Sequence, residues 1–347
     1  MENSLGDPRD QDPYDLMRKL DSQGISAQQV RRLLGAVLGQ GDYDRQSWCK
    51  SGILPRRISD RFEALPVLAI DRVVSSRTDR FEKVLFRTFD QLPVETVIIP
   101  LHRPGAVTIC LSSQVGCVMG CAFCATGRMT EQRNLKTWEI VDQLVQARRL
   151  VRNSQRRVSG IVFMGMGEPF LNYEAVLAAA ELFRFPVHGA IRGKAITIST
   201  VGVVRQIDRF TAERHPFRLC ISLGAATDEK RAQILPVASR TAVRELMAAA
   251  RRHALTRKDR VMLAYVCIGG FNVSEDDAQA LGDLIEDTPV RLDLIDVHDS
   301  SGRFYPPSPD EMAIFRDALT RYVRQPVVRR YSGGADINAA CGTLAGI

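Results

Sequence analysis

Residues 107–124 read VTICLSSQVGCVMGCAFC, an apolar, β-branched segment followed by three closely spaced cysteines. The spacing Cys117-x3-Cys121-x2-Cys124 places three soft thiolate ligands on one loop directly after a predicted strand. Such ligands suit an iron–sulfur cluster, whereas a structural zinc site normally has a fourth cysteine or histidine at comparable spacing. No fourth ligand follows in register, so the spacing favours an iron–sulfur cluster, with zinc as the alternative.

A four-iron cubane held by three cysteines leaves one iron open to a substrate. An open iron can chelate the amino and carboxylate groups of S-adenosylmethionine, and one-electron reduction then cleaves the C–S bond to a 5′-deoxyadenosyl radical. Phe123, between the last two cysteines, is expected to shield the cluster from water. The cysteine spacing therefore predicts a 4Fe-4S cluster that binds S-adenosylmethionine.

The chain around these cysteines alternates predicted strands and helices. Apolar segments indicate strands at 107–111, 161–164, 195–199, 218–222, 261–266 and 290–295, with one more at 327–331. Repeated βα units predict a parallel sheet, and their number predicts an α/β fold with a partial (β/α)6 barrel of the TIM type. In such barrels the reacting groups lie at the carboxyl ends of the strands, which is where the cysteine loop is expected.

The core is assigned to residues 106–347, and three shorter parts precede it. Residues 1–13 are polar and interrupted by proline, and we predict a flexible tail there. Residues 14–66 have apolar side chains at helical spacing, typical of a small helical accessory domain. Residues 67–105 contain β-rich segments, which predict a small region of antiparallel strands.

The composition of the 347 residues excludes several classes of protein. Hydrophobic residues make up 45% and charged residues 25%, which excludes a disordered chain, a collagen-like repeat and a membrane bundle. The first twenty residues lack the apolar core of a secretion signal, so we expect a cytoplasmic protein. Four of its eight cysteines lie between Cys110 and Cys124, and such a group in a reducing compartment indicates metal or redox chemistry. The net charge of +7 is compatible with RNA as a partner, but many enzymes that do not bind nucleic acid have a similar charge.

The segment Gly165-Met166-Gly167-Glu168-Pro169 after the second core strand is the next candidate part of the site. Glycine allows the backbone to approach a ligand, and Glu168 can accept a hydrogen bond from a ribose hydroxyl or an ammonium group. The alternative is a tight turn in which Glu168 caps the next helix. Ser199, Ser222 and Gly224, at the ends of the next two strands, are either ligand contacts or ordinary turn residues.

Several motifs together resemble the RlmN/Cfr family of radical SAM RNA methyltransferases. They are VETVIIP at 94–100, ICLSSQVGC at 109–117, CVMGCAFCATG at 117–127, GMGEPFLN at 165–172, ITISTVG at 196–202 and ADINAACG at 335–342. These motifs span most of the chain, and the last, with its single cysteine, is the most specific. The resemblance implies methylation of an adenine carbon in RNA with two equivalents of S-adenosylmethionine.

The resemblance also implies roles for individual residues. It assigns the cluster to Cys117, Cys121 and Cys124. It makes Cys341 the carrier of the methyl group, as an S-methylcysteine. Cys110 then resolves the RNA–protein adduct and forms a transient disulfide with Cys341. Glu95 matches the position of the family's proton acceptor. The implied contacts to S-adenosylmethionine are Gly167, Glu168, Ser199, Ser222, Leu223 and Gly224.

Two positions depart from the family's pattern. Gly224 stands where the family usually has a histidine, and His298 stands where an asparagine is usual. Gly224 offers no side-chain contact, whereas His298 can still donate or accept a hydrogen bond. The hypothesis is that the two positions are an exchanged pair at the cofactor site.

The resemblance implies carbon 2 of an adenosine in 23S ribosomal RNA near the peptidyl-transferase centre, or an adenosine beside a tRNA anticodon. Carbon 8, or a non-RNA substrate, is the alternative within enzymes, and an RNA-binding relative without activity is the alternative from another class. A target base has to be unstacked to reach a buried cluster. The other expectations are an electron donor such as flavodoxin, a monomer and no membrane association.

The remaining cysteines and arginines carry weaker signals. Cys49, Cys220 and Cys267 lie in apolar or helical surroundings and are predicted to be packing residues. Arginine doublets are scattered along the chain, and each is typical of a solvated face. Together with the helical N-terminal region they are the alternative candidates for a phosphate-binding surface.

Overall fold

The computed structural model describes residues 4–187, 189–236 and 241–345. The strands are β1 (Ala69–Ser75), β2 (Glu82–Arg87), β3 (Pro93–Pro100), β4 (Ala106–Cys110), β5 (Gln114–Val115), β6 (Arg133–Asn134), β7 (Arg157–Phe163), β8 (Ile196–Thr200), β9 (Arg218–Ser222), β10 (Val261–Cys267), β11 (Val290–Asp296) and β12 (Val327–Arg330). The helices are α1 (Pro13–Asp21), α2 (Ala27–Leu34), α3 (Arg45–Lys50), α4 (Arg56–Ser59), α5 (Thr137–Asn153), α6 (Tyr173–Arg184), α7 (Val204–Ala212), α8 (Asp228–Ile234), α9 (Val243–Arg257), α10 (Glu275–Ile285) and α11 (Pro309–Tyr322).

One ten-stranded sheet organises the fold, in the order β1-β2-β3-β4-β7-β8-β9-β10-β11-β12. From β4 onward its strands are parallel, as the alternating pattern predicted. Each predicted core strand coincides with an observed one, and helices connect the strands on the outside. Side chains from β3, β4 and β7 to β12 line a single cavity, so the sheet curves around it. This is the partial barrel that the sequence predicted.

The helix boundaries follow local signals. Asp12 caps α1 by accepting hydrogen bonds from the amides of Tyr14 and Asp15, and Pro13 occupies the first helical position, where no amide hydrogen is needed. A capping box of Ser308 and Glu311 begins α11 in the same way. The starts of these two helices are therefore specified by short patterns that a single sequence displays.

The predicted β region is not a separate sheet. β1, β2 and β3 are antiparallel, and β3 pairs with β4 in the register Val97↔Cys110. The three strands thus extend the barrel sheet at its open edge, because the exposed backbone of β4 accepts β3 as a partner. Their side chains consequently reach the cavity of the core.

The N-terminal segment was predicted to be a flexible tail, but its described residues pack against the rest of the protein. Residues 4–13 pack on α5, where the buried Arg9 forms an ion pair with Asp142 at 3.2 Å. The amide of Trp138 donates a hydrogen bond to Asp10 at 2.7 Å. Arg9 is thus buried with partners of opposite charge, which the polarity of the segment alone did not indicate. Helices α1 to α4 then follow within the predicted helical region, and no helix in the described ranges has the length and hydropathy to cross a bilayer.

Candidate active site

A cavity of about 210 Å³ opens at the carboxyl ends of the parallel strands. Its wall combines the last residues of these strands with the loop after β5 and with residues between 330 and 344. Most of the predicted site residues lie in this wall: Cys110, Cys117, Cys121, Cys124, Gly167, Glu168, Ser199, Ser222, Gly224 and Cys341. Residues predicted from separate motifs therefore converge on one site.

The cluster loop, residues 116–128, places Cys117, Cys121 and Cys124 on the cavity wall. Gly116 begins the loop with a φ of 62°. A Cβ atom there would overlap the carbonyl oxygen of Glu131, so the position accepts only glycine. The turn into the cluster loop is thus fixed by backbone geometry.

Main-chain hydrogen bonds hold the cluster loop on two sides. The Ala122 amide donates to the carbonyl oxygen of Ile234 at the end of α8, at 2.9 Å. The Ala125 amide donates to the carbonyl oxygen of Gly342 at 2.7 Å. The loop that carries the three thiols is therefore tied both to the barrel and to the C-terminal residues.

The three thiols are half-buried, and burial changes the acidity of Cys117 and Cys121. It raises the pKa of Cys117 to about 12 and raises the pKa of Cys121 as well, with neighbouring thiols adding to the effect. Metal binding therefore has to displace thiol protons. Among the described residues, no three His, Cys, Asp or Glu side chains are grouped to hold one metal ion. Three thiols on one cavity wall are a ligand set that fits an iron–sulfur cluster.

The glycine-rich segment after β7 packs against the chain that leads into the cluster loop. A Cβ atom on Gly165 would lie 2.7 Å from the carbonyl oxygen of Leu111, and one on Gly167 would lie 2.6 Å from the Gln114 side chain. The sequence predicted glycines that let a ligand approach. The structure gives them a second purpose, because two neighbouring strand exits touch there.

Glu168 borders the cavity with a carboxylate that already accepts two hydrogen bonds. Its Oε1 accepts the Phe170 amide and its Oε2 accepts the Val201 amide, both at 2.9 Å. Glu168 thus caps the short helical turn that follows it, which was the alternative interpretation of this motif. Burial raises the pKa of Glu168 to about 7, although these amides favour the charged form. A cationic ligand group in the cavity would shift the carboxyl further toward its charged form.

The exits of β8 and β9 form the wall beside Glu168. The hydroxyl oxygens of Ser199 and Ser222 lie 3.5 Å apart at the cavity. Gly224 has a φ of 75°, and a Cβ atom there would lie 2.9 Å from the side chain of Leu235. Leu223 is fully buried in the core and does not reach the wall. Leu223 therefore packs behind the residues that border the cavity.

The two thiols predicted to react have different surroundings. Cys110 ends β4 and is buried, which raises its pKa to about 12, with the Cys341 thiol adding to the effect. Cys341 is exposed to the cavity, and its amide donates to Ser332 Oγ at 3.3 Å. The surrounding walls raise the pKa of Cys341, while the charge of Arg330 and the Ser332 hydroxyl oppose this rise. All eight cysteines are free thiols, so the structure does not support the predicted disulfide.

Comparisons with known proteins cover nearly the whole chain. The Radical SAM superfamily matches residues 111–284. A probable RNA methyltransferase of Anaeromyxobacter sp. (strain Fw109-5) is 47% identical over 337 residues, which are 96% of this chain and 97% of that protein. The dual-specificity RNA methyltransferase RlmN 1 of Myxococcus xanthus (strain DK1622) is 38% identical over 337 residues, 91% of this chain and 92% of that protein.

A crystal structure of a radical SAM methyltransferase from Sphaerobacter thermophilus has the same fold, with a TM-score of 0.89 and 34% identity over 99% of both chains. The chain belongs to the RlmN-like family of radical SAM methyltransferases. The family implies S-adenosylmethionine and an iron–sulfur cluster as cofactors, and the cavity wall contains three cysteines, the residue type that binds such clusters.

Glu95 lies behind the cavity wall of this RlmN-like protein rather than in it. Its buried carboxylate forms an ion pair with Lys83 at 2.9 Å and accepts the amide of Ala345 at 3.1 Å. Glu95 therefore anchors the C-terminal residues to the sheet. Its role as a proton acceptor stays a prediction from the family resemblance.

His298 also lies outside the cavity wall. Its Nδ1 is 3.2 Å from the carbonyl oxygen of Asp296, and its own carbonyl oxygen lies beside Gly342. The structure therefore does not place His298 and Gly224 together as an exchanged pair. Gly224 borders the cavity, whereas His298 lies against the C-terminal residues.

Sequence reasoning missed several polar residues of the RlmN-like site. Arg330, Tyr331 and Ser332 line the cavity at the exit of β12, where the carboxyl-end rule for barrels would have found them. Arg231 is buried, and its guanidinium donates to the carbonyl oxygens of Leu223 and Val201, which links the exits of β9 and β8. No motif indicated that link. Two predicted packing residues are confirmed as buried, Cys220 and Cys267, whereas Cys49 is half-buried.

Proposed function

We propose that this RlmN-like protein methylates an adenine carbon in RNA through a methyl group carried on Cys341. The observation that supports this is that Cys341 and the three cluster-loop cysteines border the same cavity. Relatives similar over most of the chain are named RNA methyltransferases, which supports RNA as the substrate. The proposed position is carbon 2 of an adenosine in 23S ribosomal RNA or beside a tRNA anticodon, as the family resemblance implies.

In this proposal Cys117, Cys121 and Cys124 hold one 4Fe-4S cluster. Ser199 and Ser222 offer hydroxyl groups to S-adenosylmethionine. When bound, the cluster and its S-adenosylmethionine supply a carbon-centred radical. The chain supplies the ligands, the orientation and an apolar wall that keeps water away.

Cys341 has the properties that a methyl carrier needs. An adenine ring carbon is a weak nucleophile, whereas a thiolate is a strong one and can take a methyl group from a sulfonium. In that transfer the Cys341 sulfur loses its proton and forms a bond to the methyl carbon, while the bond from that carbon to the sulfonium sulfur breaks and a neutral thioether leaves. Burial raises the pKa of Cys341, and the nearby charge of Arg330 and the Ser332 hydroxyl partly offset that rise. Two equivalents of S-adenosylmethionine are used in this scheme, one as methyl donor and one as radical source.

Mass spectrometry of RNA nucleosides tests the proposed reaction. Total RNA from cells with the gene should contain a methyladenosine that RNA from cells without it lacks, and 2-methyladenosine is the expected product. 8-Methyladenosine would replace the carbon 2 assignment, and unchanged RNA would favour a non-RNA substrate or a lapsed enzyme. The Cys341→Ala variant should give no product, whereas the Cys49→Ala variant, altered in α3 away from the cavity, should retain activity.

Cys110 is proposed to release the RNA from Cys341, because its buried thiol faces the same cavity and is coupled electrostatically to Cys341. The Cys110→Ala variant should therefore accumulate RNA linked covalently to Cys341, visible as a protein–RNA band in denaturing gels. The matched Cys220→Ala variant, also altered at a buried thiol, should not. Free release of RNA by the Cys110→Ala variant would remove Cys110 from this role.

A further inference from the structure

Two carboxylates fasten the connection between β1 and β2 to the C-terminal residues. Asp79 Oδ2 accepts the amide of Gly334 at 2.7 Å. Asp336 accepts the amide of Arg77 at 3.0 Å. A Cβ atom on Gly333 would overlap the ring of Phe81, so the two segments touch without intervening space. Residues 76–81 and 331–336 therefore form one continuous rim at the cavity.

Tyr331 is oriented at this rim without being buried. It lines the cavity, yet 73% of its surface is exposed. Its hydroxyl donates to Asp79 Oδ2 at 2.9 Å, and its ring meets Phe81 edge-to-face at a centroid distance of 6.2 Å. The next residue, Ser332, accepts the amide of Cys341. A tyrosine that only fastened the rim would be expected to bury its ring, whereas this ring presents a fixed, open face beside the methyl-carrier cysteine.

Two arginines flank Asp79 on the same rim. Arg77 and Arg80 are both exposed, and neither forms a salt bridge with any residue in the described ranges. Asp79 and Asp336 are engaged by main-chain amides, so the nearby carboxylates are already hydrogen-bonded. The rim therefore combines an open aromatic face with two cations available to phosphate groups.

We propose that Tyr331, Arg77 and Arg80 form a subsite for unpaired RNA at the mouth of the cavity. Tyr331 stacks on the base that is presented to Cys341, and the two arginines contact the flanking phosphates. Stacking on an aromatic ring is how proteins hold bases that have left a helix, and every base offers a face for it. The inference rests on the proposed function, because it assumes an RNA substrate.

A fluorescence titration tests the stacking. The probe is a short single-stranded oligouridine with one central 2-aminopurine, titrated with the full-length protein. The wild-type protein should quench the 2-aminopurine, and Tyr331→Ala should lose the quenching and weaken binding about tenfold. Tyr331→Phe keeps the ring and should stay within about twofold of the wild type. Tyr14→Ala is the matched control, since Tyr14 is 57% exposed but packs on Phe185 at the end of α6, opposite the cavity.

The outcomes separate this subsite from the proposed function. Wild-type affinity and full quenching with Tyr331→Ala would overturn the subsite while leaving RNA as the substrate. Equal losses for Tyr331→Phe and Tyr331→Ala would also overturn stacking, because the ring would then matter only through its bond to Asp79. If the wild-type protein bound no RNA and left cellular RNA unmethylated, the proposed function itself would fail. Thermal melting curves confirm that each variant is folded.

The salt dependence of binding tests the arginines separately. Each phosphate contact contributes about 0.7 to the slope of log affinity against log salt for a single strand. Arg77→Gln and Arg80→Gln should each reduce the slope by about that amount. Arg260→Gln is the control, because Arg260 is exposed just before β10, at the end of the barrel away from the cavity. An unchanged slope in both rim variants would remove the arginines from the subsite.

Discussion

The two sides of the cavity are held by different kinds of contact. The cluster side, formed by the cluster loop and residues 165–168, is held by main-chain hydrogen bonds and by glycines that leave no room for a side chain. The C-terminal loop, residues 331–345, is held mainly by carboxylates, including Asp79, Glu95 and its own Asp336. The cluster side is therefore held by backbone contacts, whereas the C-terminal side is held mainly through charged groups.

This difference matches the chemistry expected on each side. Cluster ligands have to keep one geometry, which rigid backbone contacts provide. A thiol that accepts a methyl group and then delivers it to another molecule has to meet two partners in turn. A loop held by a few side-chain contacts can shift between such positions at a lower cost than a segment of the sheet. The two sides should therefore respond differently to substitution.

The largest effect is expected from replacing a cluster ligand. Cys121→Ser exchanges a soft thiolate for a hard oxygen, so iron and sulfide content and RNA methylation should fall to background. Cys49→Ser, altered in α3 outside the cavity, should keep both. Metal analysis after anaerobic reconstitution measures the difference. A Cys121→Ser protein with full iron content would contradict the assignment of this loop.

The buried carboxyl of Glu168 should make the cluster side sensitive to rising pH. Burial raises its pKa from 4.5 to about 7, so between these values the folded protein holds a proton that the unfolded chain has lost. The free energy of unfolding should therefore fall by about 3 kcal/mol as pH rises through this range.

Urea unfolding at several pH values measures this change. Glu168→Gln does not titrate, so its curve should lack that decline, whereas the exposed control Glu229→Gln should follow the wild type. The same decline in wild type and Glu168→Gln would assign the pH effect to another group.

The sequence indicated the parts of this fold that depend on local patterns. The core strands and the cysteine loop were found from apolar segments and ligand spacing, which act within a few residues. The surroundings of Glu95 and Arg9 could not be predicted in this way, because each residue is held by a partner that is distant in the sequence. Arg9 bonds to Asp142 across 133 positions of sequence, and Glu95 meets Ala345 across 250. A pattern in one segment contains no information on which distant segment will lie against it.

Inserting a methyl group between two strand exits should have the next largest effect on the cluster side. Gly165→Ala places a Cβ atom 2.7 Å from both the Leu111 carbonyl oxygen and Ser112 Oγ, so the two exits must separate. We expect a loss of about 2 kcal/mol in the free energy of unfolding, with lower iron content after reconstitution. The control Gly35→Ala meets only Val187, at 3.9 Å, and should be neutral or stabilising. Equal stability of the two variants would show that the exits can separate freely.

The smallest effect is expected from replacing Asp79, which holds the C-terminal loop through the amide of Gly334. Its pH dependence should be opposite to that of Glu168. Partial burial raises the pKa of Asp79, but hydrogen bonds from Gly334 and Ser76 outweigh it and hold the pKa below the ordinary 3.8. The hydrogen bonds to Asp79 therefore stabilise the folded protein fully above pH 3.8. This stabilisation is lost as the pH falls through the pKa that Asp79 has in the folded protein, which is the reverse of the pH dependence expected for Glu168.

Asp79→Asn keeps one acceptor oxygen but loses the charge, so methylation efficiency should drop about fivefold while iron content stays at the wild-type level. Asp71→Asn is the control, since Asp71 pairs with Arg87 on the surface of β1 and should change neither. Loss of iron in Asp79→Asn would mean that the two sides are mechanically coupled, with the main-chain bond from Ala125 to Gly342 as the direct link between them.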